Sequence, residues 1–147
     1  MYPRVYLYKR IVQAKLYIDA HYAEAIDLDN IADEALFSKF HFIRLFTSIY
    51  GQTPHQYRTR LRIEKAKQLL QSGVSVTGAC FNVGFESLGS FNTLFKRQAG
   101  QNPSAYRQQS MKRVQAIKKT PLCFIPACFA EQKGWVKNSN FEEVNSR

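Results

Sequence analysis

Residues 38–58 read SKFHFIRLFTSIYGQTPHQYR, and residues 87–107 read SLGSFNTLFKRQAGQNPSAYR, which is the same pattern 49 positions later. Nine of the 21 aligned positions are identical, in order and without a gap. Self-similarity at a fixed offset indicates that one structural unit occurs twice along the chain. We therefore expect two copies of one small fold, whose elements follow from the residues within each copy.

Each copy predicts a helix with its own start and stop signals. Ser38 and Ser87 are suited to cap helix N-termini, and Gly51 and Gly100 are suited to end the helices. Between these residues the apolar side chains recur at i, i+3, i+4 and i+7, which is one stripe of a helix. The stripe comprises Phe42, Leu45, Phe46 and Ile49 in the first copy, and Phe91, Leu94 and Phe95 in the second.

A shorter helix is predicted upstream of each longer one. Asp27 and Ser75 can cap these short helices. The short helices and the tight connections that follow them are expected at residues 28–35 and 36–37, and again at residues 76–83 and 84–86. A short helix, a tight turn and a longer helix form the outline of a helix-turn-helix unit.

Three further helices complete an all-α fold of about seven helices. A leading amphipathic helix at residues 5–21 is expected to turn Ile11, Leu16 and Ile18 inward. A long linker helix runs from Pro54 to Ser72, and a last helix starts at Pro103 because proline suits the first helical position. We expect the first unit with its linker helix at residues 1–73, the second unit at residues 74–119, and an irregular C-terminal tail at residues 120–147.

The positive charge is concentrated in the repeated region. The whole chain has a net charge of +10, and residues 38–119 hold 14 Lys and Arg against two acids, Glu64 and Glu86. Residues 1–37 are net −2 and residues 120–147 are neutral. A polyanion is the natural partner of such a segment. The alternative is a solvated basic surface that serves solubility.

These motifs resemble the DNA-binding domain of the AraC/XylS family of bacterial transcription regulators. The first half carries Leu28-x-x-Ile31-Ala32, Ser38-x-x-x-Phe42-x-Arg44-x-Phe46 and Gly51-x-x-Pro54-x-x-Tyr57. The second half carries Gly84-Phe85, Phe91-x-x-x-Phe95-Lys96 and Gly100-x-x-Pro103-x-x-Tyr106-Arg107. The resemblance covers about residues 8–110 and implies two helix-turn-helix units joined by one long helix.

Such a domain places the second helix of each unit in the major groove of double-stranded DNA. The recognition helices are expected near residues 38–50 and 87–99. With the apolar stripes facing inward, the predicted base-contact residues are Lys39, Phe40, Ile43, Arg44 and Thr47 in the first unit, and Leu88, Ser90, Asn92 and Thr93 in the second. Arg44 is the strongest candidate because a guanidinium can donate to guanine O6 and N7 together.

The two units are expected to contribute unequally to base readout. Phe40 and Ile43 could contact thymine methyl groups, and the alternative is that both pack against the leading helix. In the second unit, Leu88 and Gly89 stand where family members often carry larger polar side chains, so they can form few hydrogen bonds. We therefore predict that the first unit supplies most of the direct readout.

Phosphate contacts would position the protein without reading sequence. The candidates are Ser38, Arg58, Arg62, Ser87, Lys96, Arg97 and Arg107. The alternative is a role in solubility or local salt bridges, although only two acids lie in residues 38–119. About six phosphate contacts would give a slope of log affinity against log salt of roughly −5.

Nothing in the sequence predicts an enzyme, a cofactor or a metal. His21, His41 and His55 stand apart from any arrangement of acid and nucleophile, and Cys80 is interpreted as a core filler. Cys123 and Cys128 lie in an apolar, proline-interrupted part of the tail, where a C-x4-C spacing without a second ligand pair is weak evidence for metal or redox chemistry. The preferred interpretation is that the tail packs back on the domain or forms a contact patch for another protein or subunit.

The sequence therefore predicts a cytoplasmic, sequence-specific DNA-binding transcription regulator. No apolar run is long enough to span a membrane, and about ten residues precede the domain, so a stand-alone member without the usual sensor domain is expected. The resemblance implies an activator that also touches RNA polymerase. One chain carries both recognition helices, so a monomer could bind a non-palindromic site of about 20 base pairs. Binding as a dimer is the alternative. The alternatives are a nucleoid-type protein of low specificity and a basic helical protein-interaction module.

Overall fold

A computed structural model describes residues 2–34 and 38–119, and every regular element in them is an α-helix. Seven helices are present in this part of the chain, so the predicted all-α fold of about seven helices is confirmed. In chain order they are α1 (Tyr2–His21), α2 (Leu28–Glu34), α3 (Lys39–Tyr50), α4 (Pro54–Gln71), α5 (Val76–Asn82), α6 (Leu88–Ala99) and α7 (Pro103–Lys119). The predicted connection at residues 36–37 and the tail at residues 120–147 lie outside the described residues.

The two longer helices of the repeat begin and end where their capping residues predict. The Oγ of Ser38 accepts a hydrogen bond from the backbone N–H of His41 at 3.3 Å, and that of Ser87 accepts one from Ser90 at 3.3 Å. Gly51 and Gly100 follow the helices with φ of +73° and +78°, where glycine avoids the strain that a Cβ brings. The two recognition helices are therefore built alike.

The linker helix α4 is set at a defined starting point. Thr53 accepts a hydrogen bond from the N–H of Gln56, whose side chain in turn accepts one from the N–H of Thr53, and Pro54 occupies the first turn. This reciprocal capping satisfies two N–H groups that the helix leaves without partners. Its 18 residues span about 27 Å at 1.5 Å per residue.

The buried side chains form two separate clusters, and α4 contributes to both. The first cluster comprises Ile11, Ala14, Ile18, Ala32, Phe42, Phe46 and Tyr57. The second comprises Ile63, Ala66, Leu70, Ala79, Cys80, Val83, Phe85, Phe91 and Phe95. Each cluster belongs to one helix-turn-helix unit, and α4 joins the two; the division at residues 73 and 74 stays a prediction.

The identical residues of the repeat occupy equivalent places in these clusters. The rings of Phe46 and Tyr57 meet edge-on, with centroids 5.7 Å apart and planes at 73°. Those of Phe95 and Tyr106 meet in the same way, at 5.4 Å and 74°. Edge-to-face contact is the favoured geometry of aromatic pairs, so the repeated aromatic residues fasten the start of the next helix to each recognition helix.

Two residues predicted to face inward are exposed. Leu16 is 56% exposed, because Ile11, Ala14 and Ile18 form the inward face of α1 and Leu16 lies on another side of the helix. Ile49 is 38% exposed. At the end of α3 the half-buried Tyr50 packs instead, with its ring centroid 4.7 Å from that of Phe46. Across residues 2–34 and 38–119, no helix combines the length and the apolar character that crossing a bilayer requires.

Candidate nucleic-acid interface

Helix α3 turns its N-terminal side chains outward. Lys39, Phe40 and Arg44 are exposed, and Phe40 is 75% exposed. The Arg44 side chain forms no hydrogen bond or ion pair with any other described residue, so its five N–H donors are available to an external partner. The Nζ of Lys39 lies 2.9 Å from the Asp29 carboxylate, which raises the pKa of this exposed ammonium group.

Ile43 and Thr47 differ from the other candidates on α3. Ile43 is half-buried and packs against the first cluster. The Oγ1 of Thr47, also half-buried, donates a hydrogen bond to the carbonyl oxygen of Ile43 at 2.7 Å. For Ile43 the structure thus favours the packing alternative, whereas Phe40 is far more exposed than a packed side chain would be.

The corresponding face of α6 is exposed but carries short side chains. Leu88, Gly89, Ser90, Asn92 and Thr93 are all exposed. The Oγ1 of Thr93 donates to the carbonyl oxygen of Gly89 at 3.0 Å, and the Ser87 and Ser90 hydroxyls lie 3.1 Å apart. A Cβ added at Gly89 would have no atom within 4 Å. This face is therefore accessible but offers little reach.

The predicted phosphate contacts divide into two groups. Lys96 and Arg97 are exposed in the last turn of α6, and their side chains form no hydrogen bond or ion pair with another described residue. Ser38 and Ser87 are exposed as well, although their hydroxyl oxygens already cap α3 and α6. These four side chains are reachable by an external anion.

Arg58, Arg62 and Arg107 donate hydrogen bonds within the protein, and the phosphate contacts predicted for them stay predictions. Arg58 donates to the carbonyl oxygen of Ile26 at 3.1 Å, and Arg107 donates to those of Gly73 and Val74, each at 3.0 Å. Each arginine thereby holds the loop before the short helix of its own unit. Backbone carbonyls in such loops need a donor when they are shielded from water.

Arg62 uses all three of its donor groups within the protein. Its Nε donates to the carbonyl oxygen of Tyr22 at 2.5 Å, its Nη2 to that of Glu24 at 3.1 Å, and its Nη1 to that of Gly84 at 3.0 Å. Burial lowers the pKa of the Arg62 guanidinium, as does the charge of Arg58, while Glu86 opposes both effects. Burial also lowers the pKa of Arg58.

The sequence contained one signal for the structural role of two of these arginines. Arg58 and Arg107 occupy equivalent positions of the repeat and are identical, whereas the outward residues of α3 and α6 differ between the copies. Identity between copies accompanies a shared structural task. No comparable signal marks Arg62, which lies outside the repeat.

No cluster of metal-binding type occurs in residues 2–34 and 38–119, where three or more His, Cys, Asp or Glu side chains never come together. Cys80 is buried, which raises the pKa of its thiol. Cys123 and Cys128 lie outside the described residues.

Two helix-turn-helix units on one linker helix, each with an exposed second helix, define a tandem helix-turn-helix protein. Residues 31–109 match the model of a family described as a helix-turn-helix domain, of the AraC type. The chain belongs to this family.

Relatives and solved structures agree with that assignment. The chain is 39% identical over 93 residues to the HTH-type transcriptional activator RhaS of Escherichia fergusonii, covering 63% of this chain and 34% of that protein. It is 38% identical over 94 residues to the MmsAB operon regulatory protein of Pseudomonas aeruginosa, covering 63% and 31%. The chain thus spans about a third of the length of these curated relatives.

Among solved structures, the DNA-binding domain of the global transcriptional factor AdpA, in complex with a target DNA, superposes with a TM-score of 0.63 at 28% identity. The match covers 76% of this chain and 96% of that one. The C-terminal domain of AraT, a response regulator from Geobacillus stearothermophilus, gives a TM-score of 0.64 at 26% identity, over 68% and 84% of the two chains.

Proposed function

We propose that this chain binds double-stranded DNA in a sequence-specific manner and regulates transcription. Helices α3 and α6 would enter two successive segments of the major groove, about 34 Å apart along the duplex. The observation that carries this proposal is the pair of exposed second-helix faces on one linker helix, in the part of the chain that is net +12. Similarity to a domain solved with its target DNA supports the same function.

The proposed base contacts differ between the two recognition helices. Arg44 would read guanine through a bidentate pair of hydrogen bonds, because its guanidinium is exposed and has no partner among the described residues. Phe40 would contact a thymine methyl group. On α6 the contacts would come from Ser90, Asn92 and Thr93, whose side chains are short, so the second unit would contribute less.

The proposed phosphate contacts are fewer than the sequence suggested. Lys96 and Arg97 are the cations best placed for them, since Arg62 and Arg107 donate to carbonyl oxygens of the protein. Ser38 and Ser87 could add weaker contacts. A smaller number of neutralised phosphates implies a shallower dependence on salt than the roughly −5 expected from six contacts.

Substitution of Lys96 by glutamine tests the phosphate assignment. We expect Lys96→Gln to weaken binding to all DNA sequences by a similar factor and to reduce the slope of log affinity against log salt by about 0.9. Fluorescence anisotropy at several salt concentrations measures both quantities. The matched control is Lys15→Gln, which removes the same charge from α1, where the Lys15 ammonium pairs with Asp19 at 2.7 Å. A change of sequence preference in Lys96→Gln would contradict the assignment.

Selection of bound DNA from a random pool tests the proposed function as a whole. We expect enrichment of a non-palindromic site of about 20 base pairs, in which two motifs lie one helical turn apart. Binding without an enriched motif would support the alternative of a nucleoid-type protein of low specificity. Failure to bind any DNA, in the absence of competing polyanions, would contradict the proposed function. The remaining alternative would then be the basic helical protein-interaction module.

RNA polymerase would be the second partner of an activator, and the cytoplasm the compartment in which both act. A single chain suffices for binding because both recognition helices belong to it; the mass of the complex with the selected site, measured by analytical ultracentrifugation, tests this.

A further inference from the structure

The α1–α2 loop of the first unit touches the α5–α6 turn of the second unit. A Cβ built on Gly84, in that turn, would lie 2.3 Å from the carbonyl oxygen of Ala23. The side chain of Tyr22 packs against the second cluster rather than the first. The loop at residues 22–24 therefore forms a direct contact between the units, at the turn that leads into recognition helix α6.

Arg62 holds both sides of this contact from α4. Two of its donors bind the carbonyl oxygens of Tyr22 and Glu24 in the loop, and the third binds that of Gly84 in the turn. Its guanidinium carbon also lies 5.7 Å from the centre of the Phe85 ring. A planar guanidinium presents its donors in a rigid fork, so the three carbonyl groups are held in one fixed geometry.

We propose that Arg62 is a positioning residue that fixes the orientation of α6 relative to α3, and thereby the spacing between the two DNA motifs that the protein accepts. The inference rests on the proposed function. It distinguishes Arg62 from Arg58, which bonds only the α1–α2 loop, and from Arg107, which bonds only the loop between α4 and α5. One base pair of extra spacing moves a motif by about 3.4 Å along the duplex axis and also turns it around that axis, so a rigid pair of helices tolerates little variation.

The experiment compares Arg62→Lys with Arg58→Lys on DNA of varied spacing. Lysine keeps the positive charge in both variants, but its single ammonium group cannot reproduce the planar, rigid set of donors by which Arg62 binds three carbonyl oxygens. The two arginines lie one turn apart on the same helix, which makes Arg58→Lys a matched control. Affinity is measured for the selected site and for versions with one or two base pairs inserted or deleted between the motifs.

We expect the wild-type protein and Arg58→Lys to lose about tenfold or more in affinity for each base pair of altered spacing, a loss similar to that of a mismatch. Arg62→Lys should bind the best site less tightly and show a markedly flatter dependence on spacing. A wild-type spacing profile in folded Arg62→Lys overturns the inference. A purely structural loss of stability would lower affinity for every spacing without flattening the profile, and it would overturn the inference as well.

Folding of each variant is checked by circular dichroism before binding is measured. If Arg62→Lys does not fold, Tyr22→Ala takes its place, since it removes the ring that joins the loop to the second cluster but keeps the carbonyl acceptor. A wild-type spacing profile in Tyr22→Ala would then overturn the inference. Failure of the wild-type protein to select any DNA site, in contrast, would refute the proposed function itself.

Discussion

Replacement of Gly84 by alanine is expected to destabilise the fold by about 3 kcal/mol or more, a large part of the 5–15 kcal/mol that holds a typical domain together. Gly84 has a φ of +93°, a backbone conformation that side chains disfavour. Its added Cβ would also lie 2.3 Å from the carbonyl oxygen and 2.8 Å from the carbonyl carbon of Ala23. Because these are backbone atoms, no rotation of a side chain relieves the clash.

Gly73→Ala separates the two causes of this destabilisation. Gly73 has nearly the same φ, +97°, but a Cβ added there would meet no atom within 4 Å. Its substitution should therefore cost only the backbone strain, about 1–2 kcal/mol. Urea denaturation of both variants measures the difference in the free energy of unfolding, which reports the contact between residues 23 and 84. Equal losses in the two variants would show that the units do not approach as closely as described.

The sequence predicted those parts of the fold that local signals specify. The recognition helices begin after Ser38 and Ser87 and end before Gly51 and Gly100. The hydrogen bonds and backbone angles that set these ends involve only neighbours within four residues. The aromatic stripe is equally local, because residues three or four positions apart share a helix face. Repetition of all these signals 49 residues later made the helix-turn-helix outline specific.

The same reasoning missed hydrogen bonds between residues that are distant in sequence. Arg62 bonds Tyr22, 40 positions away, and Arg107 bonds Val74, 33 positions away. A count of charges shows that few acids are available but does not reveal carbonyl oxygens that need a donor. In a basic segment, an arginine that binds the backbone and one that binds phosphate therefore look alike until the tertiary structure is known.

The exposure of the residues of the candidate interface was predicted better at its centre than at its edges. Residues opposite the apolar stripe, such as Arg44, Asn92 and Thr93, are exposed as expected. Ile43 and Ile49 lie at the borders of the apolar stripe. Ile43 was expected to face outward but is half-buried, and Ile49 was expected to face inward but is exposed. Periodicity specifies the direction of the apolar face of a helix, but the packing of neighbouring helices decides how wide the buried part of that face is.

Loss of sequence preference is the expected result of Arg44→Ala. A bidentate arginine–guanine pair contributes about 1–3 kcal/mol of discrimination, so the affinity ratio between the selected site and its base-substituted version should fall by a factor of about 5 to 150. The exposed place of Arg44 on α3, where its side chain bonds no residue in the described part of the chain, supports this size of effect. Competition binding, with each DNA measured against the same labelled probe, gives the ratio directly.

Thr93→Ala should change the ratio much less, because the Thr93 hydroxyl already donates to the carbonyl oxygen of Gly89 at 3.0 Å and can offer DNA only its acceptor capacity. Arg97→Ala serves as the control for charge, because it removes an exposed cation from α6. It should weaken binding to both DNA molecules alike and leave the ratio of their affinities unchanged. A greater loss of preference in Thr93→Ala than in Arg44→Ala would contradict the unequal contribution of the two units. The second recognition helix would then read bases through its short side chains, at a closer approach to the groove than α3 makes.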